Sequence, residues 1–159
     1  HYFDGKDALL SSLSYLFDDK YEELLETLDT EQNAFDILMY LNRELFGMIE
    51  RTVSVELLAQ MYAAQLTTKG EKHLLDRDRL YYRLLRQIAR QGQDRGELRQ
   101  DIPTGEIVKT YALCERALLY DWCICGGEYS LREYSAKMMP IFLAHLRTSA
   151  VDKKLSDDI

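Results

Sequence analysis

The stretch 102–127, IPTGEIVKTYALCERALLYDWCICGG, constrains the fold more than any other part of the chain. Its apolar residues recur at helical spacing on nearly every side. One stripe runs Ile107, Tyr111, Cys114, Leu118, Trp122 and Cys125. A second runs Val108, Ala112, Leu119 and Cys123, interrupted by Glu115. A helix with one apolar face needs one packing partner, whereas a helix apolar almost all round has to be covered from two directions. The rest of the chain covers one side, and something further has to cover the other.

The segments around it supply helices for the first covering. With two prolines and eight glycines in 159 residues, long helices are favoured over a turn-rich sheet protein, and the length suits one domain with a real core. Over about 5–28, Leu10, Leu13, Phe17, Tyr21, Leu24 and Leu28 recur at spacings of three and four, the period of an amphipathic helix. Such a helix spans roughly 35 Å, enough to link two parts of a molecule. Asp29 or Thr30 can cap a second helix over 31–51, with Phe35, Leu38, Asn42, Leu45 and Ile49 inward. Asn42 is the odd member, because a buried amide requires hydrogen-bond partners. Ser54 opens a third helix, stopped by the polar run 67–72 around Gly70. A fourth is predicted over 76–95, ended by Gly96. Pro103 suits the first turn of the fifth, and Gly126 and Gly127 end it. Ser130 and Glu133 have capping-box spacing at the start of the sixth, predicted to run to Ser149 with a kink at Pro140. The tail 151–159 is polar. The expectation is an all-α bundle of six helices with no strand.

Charge and cysteine usage narrow the function classes. The net charge of −7 opposes nucleic-acid binding over the general surface, and the first thirty residues hold eight of the acids. Arg79, Arg83, Arg86 and Arg90 share one face of the fourth helix at spacings of four, three and four. Diluted by glutamines and Asp94, this stripe reads as a solvated face. No apolar run reaches the ~20 residues needed to cross a bilayer, so no membrane role is expected. The three cysteines lack the paired spacing of secreted disulfide scaffolds, which favours a reducing cytoplasm. Cys114 and Cys125 share a face but stand about 16 Å apart, and Cys123 and Cys125 point to different sides. All three read as small buried apolar residues. None of His1, His73 or His145 follows a glutamate by three, so no di-iron site of the helix-bundle kind is expected. No nucleophile elbow, phosphate loop or dinucleotide fingerprint occurs. No enzyme, metal or cofactor is expected.

The inward faces are rich in aromatic and sulfur side chains. Phe46, Met61, Tyr62, Tyr81, Tyr111, Cys114, Leu118 and Trp122, with Asn42 and Glu115 among them, suit a mostly apolar cavity carrying a few polar anchors. A buried Glu115 would need a cationic neighbour from another helix, a cationic ligand or an exposed edge position.

Two segments carry a resemblance. Tyr2, Phe3, Lys6 and Leu9 in the opening HYFDGKDALL resemble the end of the helix-turn-helix domain in TetR-family transcriptional regulators, where an aromatic would precede His1. Gly92 to Leu98, GQDRGEL, is similar to the junction between that family's seventh and eighth helices. The chain also begins at His1 without a methionine, in sequence that reads as structured. The resemblance therefore implies that residues 1–5 end a DNA-binding domain of which about 40–50 residues precede this chain. It implies DNA-phosphate contacts for Tyr2 and Lys6, and residues 6–150 as a ligand-binding and dimerisation domain. It further implies a homodimer in which the last two helices of each subunit form a four-helix bundle.

In that arrangement the pocket would take the stripe with Tyr111, Cys114, Leu118 and Trp122. The partner would take Val108, Ala112, Leu119 and Cys123, with Met138, Ile141, Phe142 and His145 from the last helix. An unknown small apolar or aromatic effector would release operator DNA. The competing reading is a free-standing helical module that binds a small molecule and has no DNA role.

Overall fold

Helix-forming periodicity and local capping together produce the secondary structure. The computed structural model describes residues 5–70 and 72–148, the side chains of residues 5–7, 10 and 11 excepted. Tyr2, Phe3, the Lys6 and Leu10 side chains and the tail 151–159 lie outside what is described. The six α-helices are α1 (Gly5–Thr27), α2 (Ala34–Thr52), α3 (Val55–Thr67), α4 (Leu80–Asp94), α5 (Thr104–Ile124) and α6 (Leu131–Leu143). The chain is all-α. Among the described residues the nearest thing to a strand is one antiparallel bridge, Leu98 with Arg147, which ties the α4–α5 turn to the end of α6. No described helix is long and apolar enough to cross a membrane.

Capping chemistry explains where the boundaries depart from the sequence reading. Asp29 Oδ1 accepts from the Glu31 N–H and closes a turn instead of starting a helix. Asn33 caps α2, its Oδ1 accepting from the Phe35 N–H at 2.9 Å. Ser54 caps α3 as expected, through the Leu57 N–H. Residues 73–79 were expected in part as helix. They form a 3₁₀ turn (His73–Leu75) and a bend in which Asp76 Oδ1 takes the Asp78 N–H, so α4 starts at Leu80. Gly96 has φ +70°, the left-handed conformation that ends α4. The sixth helix stops at Leu143 and continues only as a 3₁₀ turn (Ala144–Leu146), short of the predicted Ser149.

α2 lies at the centre. Twelve of its nineteen residues are buried, and it packs against α1, α4 and α6. Close approach is built in at Gly92 of α4, where a Cβ would stand 2.5 Å from the Ala34 Cβ and 2.8 Å from Leu98. Only a glycine lets α4 touch the start of α2 this closely. α5 packs against α3, α4 and α6. Its two sequence stripes merge into one broad buried face, because the contacts with these neighbours take in residues on both. Ile107, Val108, Tyr111, Ala112, Leu118, Leu119 and Trp122 are all buried inside the protomer. The opposite face, Leu113, Ala117, Tyr120 and Ile124, is apolar and open, with Ile124 67% exposed.

Candidate functional site

Two turns of α2 and three of α5 place a polar cluster in the middle of the core. Glu115 is 3% exposed. Its Oε1 accepts from the Tyr81 hydroxyl at 2.5 Å and its Oε2 from Asn42 Nδ2 at 2.9 Å. Asn42 Oδ1 in turn accepts from Ser135 Oγ at 2.8 Å, so α4, α5, α2 and α6 meet through one network. Tyr111 stands beside the carboxyl and donates to the Leu38 carbonyl at 3.1 Å. Asn42 is thus a satisfied core amide joining two helices. Of the three fates expected for a buried Glu115, none occurs directly. Neutral donors hold it, with Arg116 contributing a weaker electrostatic pull.

Burial pushes the Glu115 carboxyl above the usual carboxylate range, and the bonds from Tyr81 and Asn42 offset this only in part. Burial, then the charge of Glu115, raises the hydroxyls of Tyr81, Tyr21 and Tyr111 well above the ordinary tyrosine value, so they stay neutral donors.

Glu115 also forms one wall of a core cavity of about 50 Å³. Five residues expected at a pocket line it: Phe46, Met61, Tyr62, Tyr81 and Glu115. Asn42 and Tyr111 support Glu115 without lining the space. Leu118 and Trp122 are buried but do not line it, and Trp122 Nε1 donates to the Tyr129 carbonyl. Cys114 is half-buried and outside it.

Further walls close it on other sides: Phe17 and Tyr21 from α1, Arg79 from the residue before α4, and Tyr82 and Arg116 from α4 and α5. Leu119, expected to face a partner, lines the cavity instead. Two of these groups are unfinished: the Tyr21 hydroxyl and Arg79 Nε are buried without a protein partner. The Arg79 guanidinium lies 5.6 Å from the centre of the Tyr81 ring. A tyrosine on the leucine face of α1 was a legible signal. An inward arginine at the head of an arginine stripe was not.

The residues expected at a subunit interface divide. Val108 and Ala112 are buried in the protomer along with Leu119. Cys123 is half-buried on the α3 side, where it lines an apolar groove with Leu66 and Tyr120. On α6, Met138 is half-buried, Phe142 is exposed and Ile141 is 62% exposed, and His145 in the following 3₁₀ turn is exposed. The cysteines are not core residues: all three are free and half-buried, and burial raises each thiol above its ordinary value.

Fifty cubic ångströms exceed what one water needs but fall well short of ordinary ligand pockets, on the order of 300–1,000 Å³. An effector larger than a few waters exceeds the space present. Compared with protein-family models, with curated proteins and with solved structures, the chain matches none.

Proposed function

We propose that this chain is the ligand-sensing and dimerisation part of a TetR-like transcriptional repressor, in which a small, largely apolar effector fills the core cavity and releases operator DNA. The observation that carries the reading is the position of α1 in the cavity wall. Phe17 and Tyr21 cover the space that Glu115 and Arg79 line from the other side, and the Tyr21 hydroxyl lacks a protein partner. A ligand that satisfies Tyr21 and enlarges the cavity acts directly on α1. In the resemblance to TetR-like regulators, α1 is the helix that continues from the DNA-reading head.

The mechanism follows from differential affinity. A ligand favours whichever α1 position it contacts better, and it can shift the population by no more than that difference. Two subunits joined through the outward faces of α5 and α6 would convert the α1 shift into a changed spacing of two reading heads, which weakens binding to a palindromic operator. The exposed apolar residues Tyr120, Ile124 and Ile141 support those faces as the joining surface.

The test is the intact gene product. By fluorescence anisotropy it should bind a palindromic fragment near its own gene, and Tyr21→Phe should keep DNA affinity while weakening the response to effector. A product that binds no double-stranded DNA at low salt sinks the repressor reading.

A further inference from the structure

A second space lies between α4 and α5, of about 520 Å³ and open to the surface. Its rim carries four cations, Arg77, Arg86, Lys109 and Arg116, and no carboxylate lines it. This concentration of one sign stands on a chain of net charge −7. None of the ion pairs among the described residues uses any of the four. Arg86 is steered by its bond to the Arg77 carbonyl at 2.9 Å, which holds its guanidinium at the cleft. The floor is different in kind: Val108 and Ala112 are apolar, and Leu75 overhangs with 54% of its surface exposed.

We propose that this cleft binds an amphipathic anion, a carboxylate or similar headgroup on a short apolar body. The headgroup would lie among Arg77, Arg86 and Lys109. The apolar body would cover Val108, Ala112 and Leu75. A purely inorganic anion gains nothing from that floor, and a neutral apolar molecule gains nothing from the rim. The volume falls in the range of small-molecule sites, and several unpaired cations around one low-dielectric wall concentrate an anion before contact.

The cleft is also one side chain away from the core cavity. Tyr82 and Arg116 line both spaces, and Arg116 Nη1 donates to the Tyr82 hydroxyl at 3.0 Å. The Tyr82 hydroxyl donates to the Leu74 carbonyl at 2.9 Å. A headgroup that also reaches Arg116, the fourth cation of the rim, competes with Tyr82 for it and loosens this partition, giving the apolar body a path toward the cavity. That consequence rests on the sensor reading proposed above; binding in the cleft does not.

Octanoate, 1-octanol and inorganic phosphate are the probes, titrated calorimetrically into the chain. Octanoate should bind at least about tenfold more tightly than either of the others, and its affinity should fall as salt rises. The variant Arg77→Gln/Arg86→Gln/Lys109→Gln changes only residues outside the buried core and should keep its helical circular dichroism while losing about tenfold or more in octanoate affinity. Octanol binding as well as octanoate, or octanoate affinity unchanged in the triple variant, overturns the proposal. A gene product that ignores octanoate yet is released from DNA by a neutral ligand sinks the cleft alone. One that binds octanoate in the cleft but binds no DNA sinks the repressor reading alone.

Discussion

Glu115 is the residue on which the interior depends most. Its carboxyl is surrounded by neutral donors, with no ion-pair partner among the described residues, and its burial raises its affinity for a proton. The sign of the resulting pH dependence follows from linkage. A group that binds its proton more tightly in the folded state contributes stability below its unfolded value, and that contribution is lost as pH climbs from there through the raised folded value. For Glu115 the loss begins near the ordinary value of 4.5 and extends upward. Glu115→Gln removes this titration while keeping the cluster satisfiable, since a Gln carbonyl can accept from Asn42 and its amide can donate to the Tyr81 hydroxyl. In urea denaturation at a series of pH values, the stability of the variant relative to wild type should therefore increase from pH 4.5 upward and then level off. A difference independent of pH would mean that Glu115 titrates normally. The need for a partner was readable from a glutamate inside an apolar stripe. The partners were not, because they sit on other helices, 34 and 73 positions away in the chain, and periodicity along one helix carries no information about what faces it.

At the scale of elements, helix spacing made six helices legible, and the discrepancies concentrate at ends where a side chain competes with the helix for backbone groups. The start of α6 shows this best. Ser130 accepts from the Glu133 N–H at 3.2 Å, one half of the expected capping box. The other orphan groups go to Glu50 of α2, whose carboxylate accepts from the Leu131 N–H at 3.0 Å, the Arg132 N–H at 3.3 Å and Ser130 Oγ at 3.2 Å. A negative group at a helix N-terminus is favourable both as an acceptor and against the helix dipole. Glu50→Ala should therefore cost about 1–2 kcal/mol in chemical denaturation, with faster amide exchange confined to the first turn of α6. Glu133→Ala should cost less. The reverse order would restore the local capping box as the dominant cap. A cap supplied from eighty residues away has no sequence signature, whereas Ser54 and Gly96, which act on their own segments, were both readable.

Across the whole molecule, the two coverings that α5 requires are distributed differently from the two stripes in its sequence. Both stripes turn inward: Leu119 lines the cavity, and Val108 and Ala112 are buried. A helix surrounded by α3, α4 and α6 has room for a buried face wider than one stripe, and spacing alone cannot tell a wide face from two narrow ones. The uncovered face is Leu113, Ala117, Tyr120 and Ile124, and α6 contributes Tyr134 and Ile141. Exposed apolar residues set at helical intervals on neighbouring helices are the kind of surface that a second subunit covers. The proposed dimer therefore predicts a pattern across three substitutions. Ile124→Glu and Ile141→Glu should each give folded monomers by sedimentation velocity, with helical circular dichroism intact, because each adds charge where the protomer buries nothing. Leu119→Glu should instead lose stability sharply, since it places a second carboxylate against the cavity that already holds Glu115. Wild-type chain that sediments as a monomer would remove the dimer altogether. Dimers that survive both isoleucine substitutions would move the interface off α5 and α6. Folded monomer from Leu119→Glu would return this residue to the partner side.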